Sequence, residues 1–182
     1  SDPYFKDNVE ESIARAWYDG DWQKHPWEED TAPKYTDFDE AGRYSWLKAP
    51  RFEGKPMQVG PLSQMLIGYA SGHEKIVKGV NGALDLVSTV AGTKVGPDAL
   101  FGTIGRHAAR AIECKIVADE MANWLLELKP GEPSCAVYEI PDEGEGMGIT
   151  DAPRGALGHW VSVKGKKIAN YQAVVPTTWD GG

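Results

Sequence analysis

One arginine in this sequence is set as if to be held still. The stretch "APRGALGHW" (residues 152–160) places Arg154 between Pro153 and Gly155, with Ala156 and Gly158 behind it. Proline fixes its own φ and biases the residue before it, Ala152, toward extended backbone. The glycines admit a neighbouring backbone or a ligand. A guanidinium carried on such a stretch is a permanently charged, planar donor suited to an anion. Asp151, just upstream, could pair with it and fix its direction; the plainer reading is an Asp151–Arg154 ion pair that only closes a turn. Further on, "VPTTWD" (175–180) offers Pro176, which has no N–H, and then Thr177. The Thr177 amide and hydroxyl are two donors able to converge on a small anion. Here the plainer reading is a strand end capped by threonines.

Other reactive residue types lack the spacing that chemistry needs. His25, His73, His107 and His159 form no H-x-x-x-H or H-E-x-x-H pattern, so they read as packing or surface histidines. Cys114 and Cys135 form no C-x-x-C pair; one disulfide between them is open, but they read rather as two unrelated buried thiols, since free cysteine behaves as a small hydrophobe. There is no G-x-S-x-G and no P-loop. "GTIG" and "GVNG" read as turns or helix contacts, and "WEED" and "DEGEGMG" as solvated acidic loops.

The elements that must position these groups follow from composition and periodicity. At 182 residues the chain suits one large domain or two small ones. Nineteen basic against 27 acidic residues give a net charge of −8, which argues against nucleic acid or an anionic membrane as partner. Seven Trp and seven Tyr suit large packing surfaces or an interface. No stretch reaches the roughly 20 apolar residues of a membrane span. The opening "SDPYFKDNVEES" is polar and acidic, unlike an export signal.

Residues 1–60 read as irregular, with a short helix over Asn8–Tyr18 (Val9, Ile13, Ala16 and Trp17 on one side), a loop over 25–42, and extended or turning chain around Pro50, Pro56 and Pro61. Three helices follow. One starts at Pro61, with Leu62, Met65, Leu66 and Tyr69 on a face and Gly72 as stop. A second spans 73–92 with Ile76, Val77, Val80, Leu84 and Val87. The third spans 106–129, where Ile112, Ile116, Val117, Met121, Trp124, Leu125 and Leu128 keep the helical period. Residues 130–153 read as loop with at most a strand at Ala136–Ile140, and 160–175 as a hairpin turning at 164–166. The fold expected is α+β: part of a helical bundle plus a small antiparallel β-hairpin. That hairpin is flanked by Pro153–Arg154 and Pro176–Thr177 and can bring them together.

Six stretches carry a resemblance: "ARAWYDG", "HPWEEDTAPKYT", "YSWLKAPRFEGKPMQVGPL", "GTIGRHAARAIE", "APRGALGHW" and "KKIANYQAVVPTTW". In this order they resemble the large subunit of nickel–iron hydrogenases. The resemblance implies reversible oxidation of H2 to protons and electrons at a nickel and an iron, the iron carrying cyanide and carbon monoxide. It implies that Arg154 reaches over the metal pair as a catalytic residue and that Pro153 walls a cyanide pocket. Thr177 would donate to a second cyanide beside Pro176, and Asp151 would stand behind the arginine. Such a ligand is an anionic acceptor that fixed donors in a dry pocket hold without reorganisation. Glu11 and Lys55 lie in regions that the resemblance associates with outer groups around magnesium or a water network. The implied partners are an iron–sulfur small subunit and the remaining large-subunit segments, with no nucleic acid and no membrane span of its own. The implied location is periplasmic, membrane-associated through partners. Two departures matter. The family's two C-x-x-C metal-ligand pairs are not in these residues, and Asp180 stands where Asn is usual. The chain is thus expected to be a central piece of one large-subunit domain that binds no nickel alone. The alternative is a metal-free structural relative, as in the related subunit of respiratory NADH–quinone oxidoreductase.

Overall fold

The computed structural model describes residues 4 and 7–182; Ser1–Pro3, Phe5 and Lys6, the start of the polar opening, lie outside them. The chain forms two compact units, one made of residues 1–60 with 139–182 and the other of residues 61–138. The α+β class holds, but the β part is larger than one hairpin: the described residues form two three-stranded antiparallel sheets.

In the first unit, β1 (Val9–Ser12) lies between β2 (Gln23–Lys24) and β3 (Ala49–Phe52). The short helix expected over Asn8–Tyr18 is therefore replaced by a strand. Val9, Glu11 and Ile13 alternate and are all fully buried, which is period two. A glutamate on the inward face hides that alternation in the sequence. The second sheet runs β4 (Glu143–Ala152), β5 (Gly155–Lys164), β6 (Lys167–Val174). The hairpin expected at 160–175 is present, with Lys164 opposite Lys167 and both turn residues at positive φ (Gly165 60°, Lys166 57°). Residues 136–140 are not a strand, and the partner strand lies later, at β4. The glycines of β4 are poor strand formers, but pairing overrides propensity: Gly144, Gly146 and Gly148 lie opposite Val163, Val161 and His159. "VPTTWD" opens a six-residue helix, α4 (Pro176–Gly181), with Pro176 in its first turn. Val9, Trp160, Val174 and Trp179 form this unit's core, with Trp27, Phe52, Val59 and Met147 packed on it.

The second unit holds α1 (Pro61–Ala70), α2 (Glu74–Ala91) and α3 (Thr103–Glu127). Leu62, Met65, Val80, Leu84, Leu100, Ala109 and Ile112 make its core. The "GVNG" glycine reads correctly as a helix contact, because a Cβ on Gly79 would stand 2.7 Å from Ile112 Cγ2. The apolar stripe of α3 is covered only in its first half. Val117, Met121, Trp124, Leu125 and Leu128 are exposed. Cys114 and Cys135 are free and exposed, against the expectation of buried thiols. Among the described residues no helix is long and apolar enough to cross a membrane.

Candidate functional site

Pro153 and Arg154 form the two-residue turn between β4 and β5, closed by the Ala152–Gly155 pair. Close packing of backbone holds this turn. Gly155 sits at φ 133°, and a Cβ there would meet Gly60 N at 2.6 Å and Val59 Cγ2 at 2.6 Å. Gly60, at φ 103°, has its own Cβ position 2.9 Å from the Arg154 carbonyl oxygen. Two glycine backbones thus face each other where no side chain fits. The Arg154 side chain is exposed on this clamped turn, as is Pro153.

Thr177 is also exposed, whereas Pro176, Thr178 and Trp179 are buried. The sheet places the two motifs at one end. Val174, the last residue of β6, lies opposite Gly158. From there β5 runs back to Gly155 over about 10 Å of strand, and the chain after Val174 runs the same way into Pro176. Thr177 is in the first turn of α4, not at a strand end. Asp151 is exposed in β4 opposite Ala156, and no Asp151–Arg154 ion pair forms among the described residues, so neither that orienting contact nor a turn-closing bridge is present.

Glu11 sits in a buried polar cluster that the sequence reading did not foresee. The Lys48 ammonium lies 2.6 Å from Glu11 Oε2 as an ion pair and also bonds Glu29 Oε2. Both carboxylate side chains are fully buried. Glu29 belongs to "WEED", so that loop is not simply solvated. Thr31 donates to Gln172 Oε1 at 3.0 Å, and Lys48 reaches the same oxygen at 3.3 Å. The Gln172 amide and Asn170 Nδ2 both donate to the Glu29 carbonyl at 3.3 Å. Burial and then the charge of Glu11 push the Glu29 carboxyl up to about 8, against the pull of Lys48. Burial pulls the Lys48 ammonium down, but the two carboxylates outweigh it and hold its pKa above the ordinary value. Lys55 stands exposed on the tight turn where it and Phe52 exchange backbone hydrogen bonds of 2.9 and 3.0 Å. The lysine beside Glu11 is Lys48. The signal for it was a single lysine before Ala49-Pro50, too weak to separate from a surface residue.

His159, half-buried in β5, bonds the Tyr171 hydroxyl across the sheet. A thiolate-bridged metal pair needs several soft sulfur donors. The chain's two cysteines lie exposed and unpaired, and no three His, Cys, Asp or Glu among the described residues gather to hold an ion. The residues present therefore do not make the ligand set of such a centre.

The nickel-dependent hydrogenase model matches residues 2–182. The uptake hydrogenase large subunit of Afipia carboxidovorans is 39% identical over 96% of this chain and 33% of its own length. The hydrogenase-2 large chain of Escherichia coli K12 is 36% identical over 100% of this chain and 33% of its own. The reduced, active Ni-Fe-Se hydrogenase of Desulfomicrobium baculatum superposes with a TM-score of 0.76 at 33% identity, over 96% of this chain and 35% of that one. The chain thus spans about a third of the length of the relatives it matches. With this match along nearly its whole length, the chain belongs to the nickel-dependent hydrogenase family, as a segment of the large subunit.

Proposed function

We propose that this segment serves the catalytic large subunit of a nickel–iron hydrogenase, which interconverts H2 with protons and electrons. The redox chemistry of H2 belongs to the Ni-Fe centre, whose ligands these residues do not supply. The segment's part is to wall that centre. The observation that carries this reading is the shared end of the β4–β5–β6 sheet, where a clamped turn bears Arg154 and the first turn of α4 bears Thr177. Arg154 faces the centre as a fixed positive charge, and Pro153 and Pro176 supply wall without competing donors. Thr177 donates to an iron-bound cyanide, the companion of carbon monoxide on that metal. Asp151, unpaired with the arginine, remains available at the base of the same turn.

Glu11 and Lys48 serve as outer groups toward a magnesium ion or ordered water, in the role the resemblance attached to Glu11 and Lys55. The exposed rings of Tyr35 and Trp46, stacked beside Trp17, and the exposed half of α3 suit coverage by an iron–sulfur small subunit and the remaining large-subunit segments. The assembly is placed in the periplasm, attached to the membrane through its partners.

The test is turnover of the assembled hydrogenase carrying Arg154→Lys. Lysine keeps the charge but loses the planar fork. A fall of about tenfold or more in H2 oxidation is expected, since one preorganised donor in such a site is worth 10² or more. Unaltered turnover overturns the role given to Arg154.

A further inference from the structure

One edge strand of the two sheets is unlike the others. An edge strand shows unpaired amides and carbonyls that another chain can take up, so proteins keep edges short, broken or covered. β2 has two residues, and β3 has four with Pro50 among them. β6 packs against the 26–31 loop, whose Glu29 carbonyl accepts from Asn170 Nδ2 and Gln172 Nε2. β4 has ten residues and is mostly exposed. It runs for about 33 Å with no proline to break it. Among the described residues no strand pairs with its outer edge.

The register fixes which groups are left open. The Ala152–Gly155 pair closes a two-residue turn, and ladder bonds alternate along an antiparallel pair. Gly144, Gly146, Gly148 and Thr150 therefore bond β5, and the amides and carbonyls of Glu143, Glu145, Met147, Ile149 and Asp151 point outward. The Asp142 carbonyl accepts from the Lys166 amide at 3.3 Å, in phase with this alternation. Among the described residues none of the outward-pointing residues makes a backbone bond to another segment. Glu143, Glu145 and Asp151 are exposed, and β4 carries no base. Paired with a second copy about Met147, the strand would set Glu143 against Asp151 with no cation to relieve them. Like charges directly opposite destabilise a sheet. The edge therefore selects a basic strand over its own copy.

We propose that the outer edge of β4 takes an added strand from the large-subunit chain outside these residues, with Lys or Arg at alternate positions opposite Glu143 and Glu145. This rests on the reading of the chain as a segment of an assembled hydrogenase. The chain spans about a third of the length of its relatives, so the rest of the same polypeptide offers a strand at high effective concentration. Backbone bonds give such a pairing its strength, and alternate side chains give it its choice of partner. The added strand stiffens β4 and with it the β4–β5 turn that bears Arg154.

The test is amide hydrogen exchange, read residue by residue by mass spectrometry, in the full chain alone and in the assembled hydrogenase. The outward amides of β4 exchange freely in the chain alone and are expected to slow about tenfold or more in the assembled enzyme. Equal exchange in an assembly that turns over H2 overturns the proposal and leaves the segment's proposed function standing. A chain that enters no active assembly overturns that function and the proposal with it. Glu145→Lys sets a base against a base, so the protection in the assembled enzyme should fall by about two- to fivefold; unchanged protection overturns the basic strand. A photoreactive benzophenone side chain in place of Glu145 identifies the occupant. A cross-link to a large-subunit peptide bearing Lys or Arg supports the proposal, and one to the small subunit or to a second copy overturns it.

Discussion

Replacing Gly155 by alanine attacks the fit that holds Arg154 still. The new Cβ would stand 2.6 Å from Gly60 N and 2.6 Å from Val59 Cγ2, on a backbone at φ 133°. An L-residue in such a region costs about 1–3 kcal/mol. Forcing a methyl group into packed surroundings costs another 1–3 kcal/mol. Relief requires the β4–β5 turn to move off Val59 and Gly60, which displaces the guanidinium. Together the loss is about 2–6 kcal/mol. Urea unfolding followed by Trp fluorescence reads it, because Trp160 and Trp179 lie in the core of the same unit. The control is Gly146→Ala in β4, where no atom comes within 4 Å of the added carbon and φ is not positive; it should stay within about 0.5 kcal/mol. If Gly155→Ala is as stable as Gly146→Ala, the clamp does not exist and the account of why Arg154 is flanked by glycine fails.

Three further outcomes follow from the same geometry. Lys48→Met leaves the buried carboxyl groups of Glu11 and Glu29 without their cation and should cost about 3–5 kcal/mol near neutral pH, measured by urea unfolding; a loss below 1 kcal/mol would show the cluster to be solvated. Glu29 keeps its proton to about pH 8 in the folded chain but only to about 4.5 when unfolded. The folded state therefore binds more protons between those values, and stability falls as pH rises through them, with a slope approaching about 1.4 kcal/mol per unit. Glu29→Gln should flatten that slope in urea titrations across the range, and an unchanged slope assigns the proton elsewhere. Elemental analysis of the isolated chain should find no stoichiometric nickel, and one nickel per chain would show that Cys114 and Cys135 do more than their exposed, unpaired positions suggest.

The helices were legible because each wrote a local signal. Pro61 opened α1, Gly72 followed its end at positive φ, and the apolar spacing marked Val80 and Leu84 in α2 and Ile112 in α3, which are buried in the core. The Gly165 hairpin was legible for the same reason. The strands that failed depend on distant partners. β4 is glycine-rich and exists through pairing with β5, and β1 carries a glutamate where alternation calls for an apolar residue. Of the site, Arg154 and Thr177 stood out because proline and glycine mark their backbones. Lys48 and Glu29 did not, since an ion pair between residues far apart in sequence leaves no pattern in either segment. The end of α3 shows the converse: its periodicity was read correctly, but a stripe cannot say which chain covers it.

The central claim is that Arg154 and Thr177 act on one diatomic-bearing metal site. It is tested most directly by the infrared bands of iron-bound CN and CO in the assembled hydrogenase, unaltered and with Thr177→Val. Removing the hydroxyl takes one donor from a cyanide, so at least one CN band should shift while the CO band keeps its intensity. Arg154→Lys should perturb the same spectrum. CN bands that stay fixed in both variants would contradict the account.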